Sequence, residues 1–490
     1  MATTGMRCAT VVDPRFHMVR PQRLLRHCVV IRSRSIQRAP IVSAHLESFS
    51  GDQQVDSSSR LKVAVLGAGI GGLAVAVALH RRGADVQVYE RAQELRQDVG
   101  TGLALWPNGM KALGAMGLDI EEAVKLKGCV IQGMAISSGG NCVDLADGSF
   151  RAKALDRARK VPGGLLAKSY QLRHGAPLVC IRWAALQKVL YSFLPPEKVH
   201  LDRAFSRSEL LGEDAGVRAH FVSQRGEESS VEADVLIGAD GIRSALRQQL
   251  LGDGPPMDGG RMTWRSVIDD GDSAQGRKYI CPSGFTTIMF SANDEGRTAT
   301  FMDVGGGALY WAAGALDGQY PDLETAGSAW EQCRLAMAQY PDVLACLDAT
   351  PPSKVYASRI LDRPPLFESA WEGAVTLCGD AAHAVTPSFG QGANLALEDA
   401  WEMAQALSQP GARARPAQAL RRWEAMRLER TSQIQIGSFL QGAKSYGDAK
   451  LSAAKSLVPD QVLEAHMERF KTRSSMDTFL HSWKPSNPYL

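Results

Sequence analysis

The sequence lacks any uninterrupted apolar run of about eighteen residues, which excludes a membrane-spanning helix and leaves a soluble chain, at most peripherally associated with a membrane. No two of its nine cysteines stand as Cys-x-x-Cys, and their number is odd. Neither a disulfide framework nor a zinc site is therefore indicated, and reduced, mostly buried thiols are expected. No other metal-ligand spacing and no Ser/His/Asp ordering stands out, so no metal ligand is assigned. Acids are nearly missing from residues 1–46, where eight arginines accompany only Asp13. The remainder carries 47 basic against 51 acidic residues, which gives no basic surface of the kind that binds nucleic acid.

The acid-poor segment ends in Ile41-Val42-Ser43-Ala44, and organellar transit peptides have this composition. We expect a chloroplast address with cleavage near Ala44; a mitochondrial address and a disordered cytosolic tail are the alternatives. A secretory signal is not expected, because its apolar core of about 7–15 residues is missing. Residues 47–60 are polar and serine-rich, a linker.

The fold is expected to begin at Leu61. Lys62–Leu66 is a short apolar strand that runs into Gly67-Ala68-Gly69-Ile70-Gly71-Gly72, a helical pattern continues to Arg82, and Asp85–Glu90 reads as a second strand. This is a βαβ unit of the size that a dinucleotide fingerprint needs. Gly67, Gly69 and Gly72 serve the tight turn, the approach of backbone N–H groups to a pyrophosphate and the packing of helix on strand, while Gly71 adds freedom. Glu90 lies 23 positions beyond Gly67, where a carboxylate accepts from ribose hydroxyls and repels a 2′-phosphate. The same site would serve FAD or NAD.

Two further signatures follow in order. Gly238-Ala239-Asp240-Gly241-Ile242-Arg243-Ser244 comes after the apolar run Val235–Ile237, and Gly379-Asp380-Ala381-Ala382-His383 after Ala374–Cys378. Pro387 and Gly390-Gln391-Gly392-Ala393-Asn394 then open a helix with Glu398-Asp399 on it. Between these, strands are expected at Val217–Ser223, Ser230–Ile237, Thr286–Phe290, Arg297–Asp303 and Ala308–Ala315, and residues 417–482 read as helical with a break near Pro459.

The ordered triple resembles the class A FAD-dependent monooxygenases over about residues 61–435, and its salicylate-hydroxylase-like and zeaxanthin-epoxidase-like branch in particular. The resemblance implies an α/β fold: a Rossmann-like FAD-binding domain in two parts (61–255, with small β insertions, and 361–410), a mixed-sheet substrate domain (256–360) and C-terminal helices (411–490). It implies that Asp380 binds the ribityl hydroxyls and that the helix opened by Gly390–Asn394 faces the flavin. Asp240, Gly241 and Arg243, with Arg247 nearby, would meet FAD phosphates or NAD(P)H, and Arg182, together with Arg91 beside Glu90, completes the cofactor set. The implied reaction uses NAD(P)H and O2 and hydroxylates or epoxidises an electron-rich aromatic or isoprenoid small molecule through a C4a-hydroperoxyflavin. The flavin performs that chemistry, so no protein catalytic residue is assigned, and His383 reads as a structural, hydrogen-bonded residue. With no second dinucleotide fingerprint, NAD(P)H is expected to dock transiently. Plant zeaxanthin epoxidases usually carry a forkhead-associated domain, for which no room is expected here. The alternatives are a carotenoid epoxidase without that domain, an FAD-dependent isoprenoid reductase or cyclase, and a non-catalytic flavin protein.

Overall fold

Two sheets carry the fold, and each follows from a different burial pattern. The computed structural model describes residues 60–95, 100–138, 165–212, 215–271, 280–290, 296–367, 369, 373–444, 455, 458, 460–469, 473–481 and 483–486. The expected transit segment, its linker up to residue 59 and Pro459 lie outside them.

The strands in chain order are β1 (Lys62–Leu66), β2 (Asp85–Tyr89), β3 (Gly102–Leu105), β4 (Cys129–Val130), β5 (Gly133–Ser138), β6 (Val179–Arg182), β7 (Val199–His200), β8 (Ala204–Leu210), β9 (Val217–Val222), β10 (Glu228–Ala233), β11 (Val235–Gly238), β12 (Met257–Ile268), β13 (Phe285–Phe290), β14 (Thr298–Asp303), β15 (Leu309–Leu316), β16 (Tyr356–Asp362) and β17 (Val375–Leu377). The first sheet is parallel, in the order β17-β11-β1-β2-β7. Val63 and Val65 of β1 pack into one core with the helix Ile70–His80, while Ala64 and Leu66 pack into another beneath β9. Burial on both faces explains why β1 and β11 read as unbroken apolar runs rather than alternating ones.

The expected single strand Ser230–Ile237 is two strands. β10 pairs antiparallel with β9, and β11 pairs parallel with β1. Asp234 is the hinge between them: its backbone N–H donates to the Lys62 carbonyl (2.9 Å) and its carboxylate accepts the Lys62 N–H (2.8 Å). The chain is thus handed from one sheet to the next where burial changes from one face to two.

The second sheet is mixed, in the order β16-β12-β15-β14-β13-β5. Its pairs are antiparallel except β13 with β5. Sequence position alone gives no sign that β5, from the chain before residue 255, joins this sheet. Trp264, Phe301, Trp311 and Ala315 face a core shared with the helices Ala329–Ala336 and Pro341–Asp348. Their alternates Thr263, Thr300, Met302, Tyr310 and Ala312 face a cavity. β3, β6 and β4 form a small sheet of their own.

The helix Gly392–Leu407 lies against Ile70–His80, close enough that a Cβ added to Gly71 would meet Ala396 at 3.4 Å. The helical end comprises Pro416–Lys444, Asp460–Arg469 and Arg473–His481. Among the described residues no helix is long and apolar enough to cross a membrane. Cys180, Cys281, Cys333, Cys346 and Cys378 are buried, and no disulfide joins the described cysteines.

Trp264 is fully buried and its indole N–H donates to Gln332 (2.9 Å). Trp264→Ala should cost about 3–5 kcal/mol by the cavity it leaves, read as a shift in the urea midpoint. A change below about 1 kcal/mol would mean that this core is not what holds the sheet to its helices.

Candidate flavin site

The three glycine signatures converge because β1, β11 and β17 are neighbours, so the turns that follow them emerge together at the carboxyl edge of one parallel sheet, where open α/β sheets bind ligands. Gly67 has φ +97°, and a Cβ there would lie 2.6 Å from the Ala239 carbonyl oxygen. A Cβ on Gly72 would approach the Gly67 oxygen to 1.9 Å, whereas one on Gly69 would meet nothing within 4 Å. Gly67 and Gly72 are therefore small because protein crowds them, and Gly69 leaves backbone open to the cavity. The helix that follows has no side-chain cap and no acid in its first turn, so its N–H groups and positive end are available to an anion.

Glu90 closes this turn. Its Oε2 accepts the Ala68 N–H (2.8 Å) and its Oε1 the Ala92 N–H (3.0 Å), which leaves lone pairs on both oxygens for hydroxyl donors. Gln187, at 3% exposure, donates to the Ala68 carbonyl (2.7 Å) and holds the turn from behind.

In the second signature Ser244 caps the short helix Ala245–Leu251, and Asp240 Oδ2 accepts the N–H of its first residue, Ala245 (2.8 Å), while the buried Oδ1 of Asp240 has no partner. Burial raises the Asp240 pKa, partly offset by the Ser244 hydroxyl and by backbone N–H groups including those of Ala245 and Leu246. Gly241 has φ +82°, and Arg243 is exposed on the cavity wall. Arg247, by contrast, is completely buried and donates to the Ala381 and Ala382 carbonyls (3.1 and 2.8 Å) and to Asp253. Its expected contact with phosphate or NAD(P)H is corrected on this point: the guanidinium ties the second signature to the third.

In the third, Gly379 has φ +56° and Asp380 projects into the cavity although protein surrounds it. Burial raises its pKa, opposed by His383. His383 Nε2 lies 2.5 Å from Asp399 Oδ2, which also accepts the Gly379 N–H (2.9 Å), an arrangement that fixes the turn. Burial alone would raise the Asp399 pKa, but His383 and Arg427 together hold it well below the usual carboxylate range. Arg427 bridges Asp399 (2.8 Å) and Glu398 (2.7 Å), and Arg430 also grips Glu398 (2.7 Å). Asn108 joins Glu398 (2.7 Å) to Gln391 (2.9 Å).

One cavity of about 1480 Å³ is lined by Gly67, Gly69, Gly71, Glu90, Arg91, Asp240, Gly241, Arg243, Gly379, Asp380, Pro387, Gly390, Gln391, Gly392 and Ala393. Three expected residues do not line it. Gly72 packs against Gly67, as described. Arg182 pairs with Asp269 (2.6 Å), although Trp183 and Gln187 from the same stretch reach the wall. Asn394 accepts the Trp106 N–H (2.8 Å) and donates to the Ala104 and Gly390 carbonyls. Sequence reading missed Trp106, Gln187, Arg427 and Arg430, because each acts through a partner remote along the chain. Orphaned polar atoms at the wall, namely Asp240 Oδ1, Gln391 Nε2 and Trp106 Nε1, together with two helix N-termini that lack side-chain caps, fit an elongated ligand with a polyol and phosphates. Among the described residues no group of His, Cys, Asp or Glu could hold a metal ion.

Residues 60–436 match the family described as FAD binding domain. The chain belongs to the class A FAD-dependent monooxygenases. Aurachin C monooxygenase/isomerase of Stigmatella aurantiaca is 31% identical over 77% of this chain and 88% of that protein. Zeaxanthin epoxidase, chloroplastic, of Nicotiana plumbaginifolia is 28% identical over 86% of this chain and 60% of that protein. The Klebsiella pneumoniae protein HpxO, solved with FAD and uric acid, superposes with a TM-score of 0.65 at 26% identity, covering 86% of this chain and 97% of that one. This monooxygenase is an oxidoreductase that uses FAD, and Asp380, Glu90 and the turn Gly67–Gly69 are the residues whose chemistry fits that cofactor.

Removing the Asp380 carboxylate should weaken FAD binding by about 10- to 100-fold, the worth of a charged hydrogen bond, while the far-ultraviolet circular dichroism of Asp380→Ala stays that of the parent. Full FAD occupancy at sub-micromolar cofactor would show that Asp380 serves another purpose.

Asp362, buried at the end of β16, also lines the cavity, and burial pushes its pKa up to about 6. An acid whose folded pKa exceeds its unfolded value of about 3.9 contributes full proton-linked stability below that value and loses it as pH rises to about 6. The parent should therefore lose stability relative to Asp362→Asn between about pH 4 and 6 and run parallel to it above that range. Identical pH profiles for the two proteins would contradict the assignment.

Proposed function

We propose that this monooxygenase works in a chloroplast and inserts one atom of O2, as a hydroxyl or an epoxide, into a small molecule with an electron-rich aromatic ring or alkene. The observation that supports a two-ligand site is the continuity of the cavity: the flavin signatures and one face of the mixed sheet line the same space of about 1480 Å³, where a drug-sized ligand takes about 300–1,000 Å³. Cofactor and substrate have room side by side.

When bound, FAD supplies acceptance of hydride from NAD(P)H and activation of O2. The chain's own residues bind and orient. The positive end of the helix Gly392–Leu407 favours negative charge beside it. The Asp399–His383 pair keeps Asp380 aimed into the cavity by fixing the turn that carries it. Apolar residues of the sheet face exclude water around the reacting atoms. Arg91 and Arg243, exposed on the wall, suit a diphosphate that arrives from solvent, in keeping with a transient NAD(P)H encounter.

Two experiments test the two parts of the reading. Purified holoprotein incubated with NADPH, O2 and a leaf extract should consume NADPH only in air and give a product heavier by one oxygen atom; reduction of an extract component under argon would favour a reductase instead. The arginine-rich, acid-poor segment 1–46 and the chloroplastic zeaxanthin epoxidase relative support the address. Residues 1–60 fused to a fluorescent reporter should enter plastids, and diffuse cytosolic fluorescence would refute it.

A further inference from the structure

The cavity has two chemically different ends beyond the flavin signatures. Its inner end is walled by Trp106, Met134, Leu178, Cys180, Met302 and Tyr310, with Leu178 and Cys180 fully buried. This end abuts the Gly-Gln-Gly turn: a Cβ on Gly390 would lie 2.9 Å from Trp106 Nε1, and one on Gly102 would lie 2.7 Å from the Tyr310 ring. Among the described residues the polar atoms it offers are neutral: the indole N–H of Trp106, the hydroxyls of Thr286, Thr300 and Tyr310 and the thiol of Cys180. Burial pushes Tyr310 up to about 12, opposed by nearby Arg265, so it stays a phenol.

Among the described residues, the charges on the sheet side of the cavity stand away from this end or are engaged. Arg261 is opposite Leu316 while Val267 is opposite Tyr310, a displacement of six residues or about 20 Å along the strands. Arg261 also donates to Thr298 and the Gly296 carbonyl. Arg265 donates to Thr101 and Ser358 and is not on the wall. An anionic substrate head at the inner end would lose its hydration with no cation on the described wall to face it, Arg265 being turned to two hydroxyls off that wall, at considerable cost.

The outer end gathers apolar side chains beside the carboxylates Asp258 and Asp362. Ile436 and Phe439 lie one turn apart on Pro416–Lys444 and face the same cavity as Val458, Met257 and Phe367. Met257 and Phe367 are 46% and 52% exposed. Met257 adjoins the solvent-exposed Asp258, and the exposure of both side chains marks the mouth. Apolar side chains gathered at a cavity mouth signify something that covers them.

We propose that the substrate is an uncharged, elongated apolar molecule. Its oxidised ring or double bond sits against Met302, Thr300 and Tyr310, and its hydrocarbon tail runs out past Ile436 and Phe439 toward Met257 and Phe367. The inference rests on the monooxygenase reading and narrows it to a substrate class that excludes short aromatic acids.

The test uses FAD-loaded full-length protein and three probes, 4-ethylphenol, 4-octylphenol and 4-hydroxybenzoate, each titrated while the absorbance of the bound flavin is followed. Each buried methylene adds up to about fourfold in affinity, so 4-octylphenol should bind at least about 30-fold more tightly than 4-ethylphenol, with 4-hydroxybenzoate the weakest. Phe439→Ser and Met257→Ser should each shrink the octyl-to-ethyl ratio. The Met257 variant keeps the test open if the partly buried Phe439 variant fails to fold, because Met257 is half-exposed. Equal affinity for the two phenols, tightest binding of 4-hydroxybenzoate, or a flavin spectrum indifferent to all three would overturn the proposal. Failure of the monooxygenase reading looks different: no bound FAD, or no O2-dependent NADPH consumption.

Discussion

Two carboxylates in the interior, Glu398 and Asp399, set the conditions for the rest of the site. Both are fully buried, and ionised carboxylates survive there only when every charge is matched. Arg427, Arg430, His383 and Asn108 supply the match. The consequence is geometric. Asp399 holds the N–H of Gly379 and the ring of His383, so the turn that aims Asp380 cannot drift from the helix Gly392–Leu407. Arg427 binds that helix to Pro416–Lys444, which also lines the outer part of the cavity. One polar cluster thus registers the turn at Gly379–His383, the helix Gly392–Leu407 and one wall of the cavity. Such a pair is a poor source of net stability compared with apolar packing, but removing one partner leaves a buried charge uncompensated.

The second constraint is the adjacency of β1, β11 and β17. Parallel neighbours bring their following turns to one edge, and Arg247 then ties two of those turns together through the Ala381 and Ala382 carbonyls. The mixed sheet joins this frame through β5, through β12 and through β16, whose end carries Asp362 onto the cavity wall.

What could be read in the sequence was whatever local chemistry dictates. Glycines at 67 and 72 are forced by backbone crowding within a few residues or by a neighbouring turn, and the apolar runs at 62–66 and 235–238 announce strands buried on both faces. The order of the three signatures was enough to name the family. Pairings across long separations were not legible. Nothing near Arg427 tells that its partners lie 28 and 29 positions earlier, nothing near Arg182 points to Asp269, and the split at Asp234 depends on a contact with Lys62. Arg247 misled for the same reason: an arginine six positions after the glycine of an Asp-Gly turn resembles a phosphate ligand until its burial is known. The neutral lining that the described residues give the inner cavity likewise emerges only when β5, β6, β14 and β15 are brought together.

The claim that the buried charge cluster positions the flavin turn, rather than merely adding stability, is tested most directly by a double-mutant cycle on FAD affinity with Asp399→Asn and Arg427→Met. Residues that act as one unit show coupling of about 0.5–3 kcal/mol. Each single variant should weaken FAD binding, and the pair together should weaken it by clearly less than the two losses combined. Strictly additive losses, or FAD affinity unchanged while only the melting temperature falls, would contradict the account.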